Sequence, residues 1–116
     1  MIIDTYFKAW LFAFVLTQLA EVPLYWRLAP TGLARAFSLS LVTHPLVWYV
    51  IPPLCYGAGL GYRELLIIAE LFAWLAEAAM LRLFGVAWPR ALAVSLAANA
   101  ASVAVGIIAR TWFGMP

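Results

Sequence analysis

Apolar residues run along this chain in four long stretches, and the basic residues punctuate them. Lys8, Arg27, Arg35, Arg63, Arg82, Arg90 and Arg110 leave intervals that can each hold a helix of roughly 20 residues, the length needed to cross a bilayer core. The spacing predicts helices near residues 7–28, 34–54, 63–85 and 89–111. Breakers fall between them: Pro30-Thr31-Gly32 in the first pair, Pro52-Pro53 with Gly57, Gly59 and Gly61 at the centre, and Gly85 with Pro89 in the last pair. All three connections are short.

The polar positions inside these stretches recur. Leu19-Ala20-Glu21, Arg35-Ala36 and Ser40-Leu41-Val42-Thr43-His44 return as Leu75-Ala76-Glu77, Arg90-Ala91 and Ser95-Leu96-Ala97-Ala98-Asn99. The offset is 56 residues at the glutamates and 55 at the arginines. The expected fold is an all-α integral membrane protein, residues 1–116 forming one transmembrane domain. Its four spans would be two tandem, parallel-repeat hairpins, about 7–54 and about 63–111, related by an axis along the membrane normal.

Helical rise sets the depth of each polar group. At 1.5 Å per residue, Glu21 lies about 9 Å from Arg27 and Glu77 about 8 Å from Arg82, while His44 and Asn99 each lie about 13 Å from Arg35 and Arg90. These four groups therefore share one layer, with Glu21 expected to meet His44 and Glu77 to meet Asn99. Glu70, about 18 Å from Arg82, stands in the opposite half. Positions three and four apart extend each group into a stripe. The stripes are Thr17, Gln18, Glu21 and Tyr25; Ser40, His44 and Trp48; Glu70, Trp74 and Glu77; and Ser95, Asn99, Ser102 and Gly106. Pro23 and Pro45 beside Glu21 and His44 remove backbone donors, so kinks are expected there.

Composition sharpens the class. With 67% hydrophobic and 10% charged residues and a mean hydropathy of +1.00, the chain leaves no room for a soluble domain. Its net charge of +2 comes from singly spaced cations, which argues against nucleic acid as a partner. Four arginines flank one side of the predicted spans against three cations on the other, a slight bias that leaves topology open. Trp10, Trp26, Trp48, Trp88 and Trp112 fall toward span ends, as interfacial anchors do, and Trp74 is mid-span. The expected partners are the lipid bilayer and either other membrane subunits or further copies of the chain, in a prokaryotic cytoplasmic membrane.

Several motifs carry no chemistry. The glycines at 57, 59 and 61 follow no strand and precede no Gly-Lys-Ser or Gly-Lys-Thr, so they read as a turn rather than a phosphate loop. Ala34-Arg35-Ala36 has the form of a signal-peptidase site, but Gln18 and Glu21 would interrupt the apolar region and Asp4 accompanies Lys8, so the first span is expected to be retained. One His and one Cys offer neither a disulfide nor metal-ligand spacing, and no cofactor is implied. Ser38, Ser40 and Ser95 lack a nucleophile-base arrangement, so no enzyme is expected. Ala93, Ala97, Ala101, Ala100 and Ala104 suggest close packing of the last span.

Two functions remain. Intramembrane polar groups can join helices to partner subunits, which makes a non-catalytic subunit of a larger membrane complex the first expectation. Buried carboxyls can also take up and release protons near physiological pH, which makes a homo-oligomeric proton- or cation-coupled transporter the second, with Glu21, His44, Glu77, Asn99 and Glu70 as its polar sites. Leu19-Ala20-Glu21-Val22 and the span count resemble the small multidrug resistance exporters, which implies a dimer whose first-helix Glu binds substrate and proton. The resemblance stops there: Leu65 to Leu81 contains no glycine where those exporters have a glycine-rich helix, and the tandem repeat is not their pattern.

Overall fold

The computed structural model describes residues 2–29 and 31–114, with side chains from Thr5 onward, so Pro30 of the first turn and the Asp4 side chain lie outside the described residues. It is helical throughout: α1 spans Ile2–Leu28, α2 Leu33–Tyr49, α3 Ile51–Gly57, α4 Tyr62–Leu83 and α5 Trp88–Phe113. Helices α2 and α3 form one rod, because Val50 between them is right-handed and both its backbone groups stay bonded, N–H to Leu46 and C=O to Leu54.

Prolines explain how the chain passes through these helices. Helices α1 and α2 continue through Pro23 and Pro45, and the interruption falls instead at Val50, ahead of Pro52-Pro53. Pro52 has no N–H to give the Trp48 carbonyl one turn back. The Tyr6 hydroxyl on α1 donates to that carbonyl instead.

Glycines close two helix ends by one mechanism. Gly59 and Gly85, with φ of 81° and 100°, follow α3 and α4. Gly59 N–H bonds Tyr56 and Leu60 N–H bonds Cys55; Gly85 N–H bonds Arg82 and Val86 N–H bonds Leu81. These paired bonds satisfy carbonyls that a helix C-terminus would otherwise leave open, and a left-handed residue is required to make them. Pro89 in the first turn of α5 costs no hydrogen bond there.

Three helices are long and apolar enough to cross a membrane: Thr5–Leu28, Leu33–Gly57 and Trp88–Phe113. The fourth rod, α4, is long enough at 22 residues but too charged to match them, since it carries Arg63, Glu64, Glu70, Glu77 and Arg82. The longest dimension of the molecule, 41 Å, matches a bilayer with its headgroups, about 40–45 Å. Trp26, Trp88 and Trp112 are exposed near helix ends.

Around the bundle, α1 packs on α2 and α5, and α4 packs on α2 and α5. Among the described residues the backbones of α1 and α4, and of α2 and α5, nowhere come within 8 Å, so these pairs are diagonal across a ring of four rods. The two halves of that ring differ. Toward the Arg27 and Arg90 end, Tyr25, Ala36, Leu39, Ala78, Leu81 and Ala91 pack into a closed core. Small residues there let the backbones approach. Those on α5 are Ala91 and Ala98, whereas Ala93, Ala97, Ala100 and Ala104 are exposed, so most of the alanines expected to pack lie on the opposite face.

Candidate functional site

At mid-depth a layer of polar side chains closes the tight half of the bundle. Glu77 on α4 is its centre and is 1% exposed. Its Oε1 accepts from the Tyr25 hydroxyl of α1 and from Asn99 Nδ2 of α5 at 3.2 Å, and its Oε2 accepts from Thr43 Oγ1 of α2 at 2.6 Å. One carboxyl thus takes a donor from each of the other three long helices. Ser95 supports this arrangement: its hydroxyl donates to the Trp74 carbonyl at 2.8 Å, and its own carbonyl accepts from Asn99 at 2.9 Å.

Glu21 on α1, 2% exposed, is held differently. Ser40 Oγ of α2 donates to its Oε1, and its other near neighbours are Ser102 of α5 and the Glu77 carboxyl. Beside this pair, Ser102 Oγ donates to Thr17 Oγ1 at 3.2 Å.

Above the layer the four rods separate around a cavity of about 780 Å³. Glu21, Ser40, Thr43, Glu77, Asn99 and Ser102 form its floor. Glu70 lines its wall about 10 Å from Glu77 along α4, so the third carboxyl, expected to stand apart, belongs to the same space. Gly106 widens the opposite wall, with only the Arg110 guanidinium near the position of an added Cβ, at 3.5 Å. Tyr6, Trp48, Tyr56, Tyr62 and Arg110 stand toward the far end of the bundle. A volume within the 300–1,000 Å³ of small-ligand sites exists inside one chain.

His44 does not join Glu21. It sits one turn beyond Ser40, against the rings of Trp10, Phe14 and Trp48, with centroids 6.1, 5.6 and 5.9 Å away. Its Nδ1 is buried without a hydrogen-bond partner, as is Trp10 Nε1. The sequence repeat aligned His44 with Asn99, but Thr43 and Ser40 are the α2 residues that reach the carboxyls. Thr43 appeared in the repeat without a role. Tyr25 belonged to the Glu21 stripe, yet its hydroxyl serves Glu77, a contact between helices that spacing within one helix cannot show.

Trp74 turns away from the cavity and donates its Nε1–H to the Leu92 carbonyl at 2.9 Å. Gln18 likewise donates to the Phe37 carbonyl at 3.1 Å and fastens α1 to α2. Among the described residues no three His, Cys, Asp or Glu side chains converge as a metal site requires. No protein-family model, curated protein or solved structure matches this chain.

Proposed function

We propose that the chain is a multi-pass membrane protein that binds and moves protons or small cations through the cavity, with Glu21 as the exchanging carboxyl. The observation that carries this reading is a cavity of about 780 Å³ ending on two buried carboxyls, one fixed by donors from three helices and the other held by the Ser40 hydroxyl. Glu77 acts as an anchor of set geometry. Glu21 can release its proton toward the cavity and receive a cation in its place.

The alternative of a purely structural subunit finds less support. Polar groups kept to join a partner would face outward, whereas these bond to one another within the chain. Helix α4 serves as the fourth span in this reading, because Glu77 and Glu70 face the floor and wall of the cavity rather than hydrocarbon. The diagonal placement of α1 with α4 and of α2 with α5 is the arrangement a duplicated hairpin would give about a central axis. The packed half is the closed gate and the splayed half the open one, as in one state of an alternating-access cycle.

Reconstitution into liposomes with an internal pH indicator tests the proposal. The expected result is a proton flux that Glu21→Gln abolishes while helix content and melting stay unchanged. Equal flux from the wild type and Glu21→Gln overturns it, and a companion protein recovered at fixed stoichiometry, with no flux from the chain alone, returns the subunit reading.

A further inference from the structure

Four guanidinium groups stand at the closed end of the bundle, one on each long helix. Arg27 lies in the last turn of α1, Arg35 in the first turn of α2, Arg82 in the last turn of α4 and Arg90 in the first turn of α5, and all four are exposed. Arginine at a helix C-terminus complements the helix dipole, but at an N-terminus it opposes it. Arg35 and Arg90 therefore sit where the potential is already positive, and neither α2 nor α5 has an acidic first-turn residue or a side-chain cap to offset it.

Two contacts draw Arg90 and Arg35 toward the ends of neighbouring helices. Arg90 Nε donates to the Leu28 carbonyl at 2.8 Å, which draws its side chain across to the α1 terminus that carries Arg27. The Arg35 guanidinium lies 5.0 Å from the centre of the Phe84 ring, beside the α4 terminus that carries Arg82. Each pair joins one cation that suits its helix end with one that opposes it. No carboxylate can neutralise them locally: Glu21 and Glu77 are buried inward, and Asp4, Glu64 and Glu70 belong to the other half of the bundle. At the head of α2, Thr31 is 7% exposed and its buried Oγ1 lacks a hydrogen-bond partner.

The geometry points to a docking surface for the phosphate groups of anionic phospholipids, one at the Arg27 and Arg90 corner and one at the Arg35 and Arg82 corner. Guanidinium matches phosphate oxygens in pairs of hydrogen bonds, which a diffuse counterion does not do. Trp26 and Trp88, exposed at the same end, set these arginines at headgroup depth, where lipid phosphates are concentrated. That end then faces the cytoplasmic leaflet, and the cavity opens to the opposite side.

Lipid retention measured by native mass spectrometry tests this, using protein from micelles holding equal amounts of phosphatidylglycerol and phosphatidylcholine. Phosphatidylglycerol is expected to be retained preferentially, and Arg35→Gln or Arg90→Gln each to lower its binding about fivefold. Arg35→Lys keeps the charge but not the paired hydrogen bonds and is expected to recover only part of the binding, while Arg63→Gln at the far end changes nothing. Circular dichroism melting verifies that each variant is folded. Equal retention of the two lipids, an Arg63→Gln loss as large as that of Arg35→Gln, or displacement of lipid by millimolar inorganic phosphate overturns the inference. The cavity has no part in this surface, so its failure leaves Glu21-dependent flux standing, and the reverse holds.

Discussion

Replacing Glu77 by leucine and by glutamine asks what the central carboxyl contributes, because the surrounding donors respond differently to each. Leucine has similar bulk but accepts nothing, so three interhelical bonds disappear. Their donors are not stranded: Thr43 Oγ1 keeps the Leu39 carbonyl at 3.2 Å, Asn99 keeps the Ser95 carbonyl at 2.9 Å, and Tyr25 has the Ser95 hydroxyl at 3.4 Å. The cost is then that of bonds lost rather than donors orphaned. Interhelical hydrogen bonds in membrane proteins average about 0.6 kcal/mol and reach about 1.7, so three of them give about 2 kcal/mol and at most about 5.

Glutamine preserves nearly everything. Its oxygen can keep Tyr25 and Asn99, and its amide can donate to Thr43 Oγ1, whose own proton turns to the Leu39 carbonyl. The expected loss is below about 1 kcal/mol, the difference between charge-assisted and neutral bonds. Reversible unfolding in mixed detergent and dodecyl sulfate micelles, followed by circular dichroism, measures both variants. If Glu77→Leu proves as stable as the wild type, the network contributes nothing to holding the helices, and its anchoring role fails with it. Well-packed apolar replacements of buried polar groups can be neutral, so that result is open to observation.

Three further outcomes follow from the packing. His44→Phe is expected to keep or raise stability, by up to about 1 kcal/mol in the same unfolding assay, because it removes a buried nitrogen without a partner and suits the aromatic cluster around it. Gly106→Ala is expected to stabilise by up to about 1 kcal/mol, since only the far end of Arg110 lies near the added methyl, whereas Gly106→Phe fills the cavity and stops flux without a drop in melting temperature. Gly85→Ala is expected to cost about 1–2 kcal/mol in thermal unfolding, since its φ of 100° is strained for any other residue even though the space beside it is open. A Gly85→Ala protein that melts with the wild type would show that the α4 to α5 turn can take another path.

Much of the site could be read from depth alone. Helical rise placed Glu21, Glu77 and Asn99 in one layer because rise depends only on sequence separation once the segments are helical. The same arithmetic put His44 at that depth, where it lines the cavity, but the expected pairing with Glu21 did not follow because depth carries no azimuth. Ser40 and Thr43 point toward the carboxyls, while His44, one position beyond Thr43, turns toward the aromatic rings of α1. Tyr25 escaped for a related reason: its position on the Glu21 stripe said which face it shared, not which neighbouring helix that face would meet. The sequence pattern read helix α4 as a fourth span, yet its charges leave it outside the three helices apolar enough to cross a membrane, and they become tolerable there only if neighbours enclose them.

What the sequence determined by itself is the set of rods and their turns. Apolar runs of bilayer length, prolines at helix starts and glycines where backbone must go left-handed act through local sterics and hydrogen bonding, which need no partner. What only the tertiary structure decided is how those rods face one another. Alanines let one half of the bundle close, while Gly106 and small residues such as Ala69 and Ala73 leave the other half hollow. The two glutamates came to differ, although their local sequences repeat, because one met donors from three helices and the other met a serine and a cavity. That difference depends on contacts between residues as many as 52 positions apart, and no local pattern encodes them.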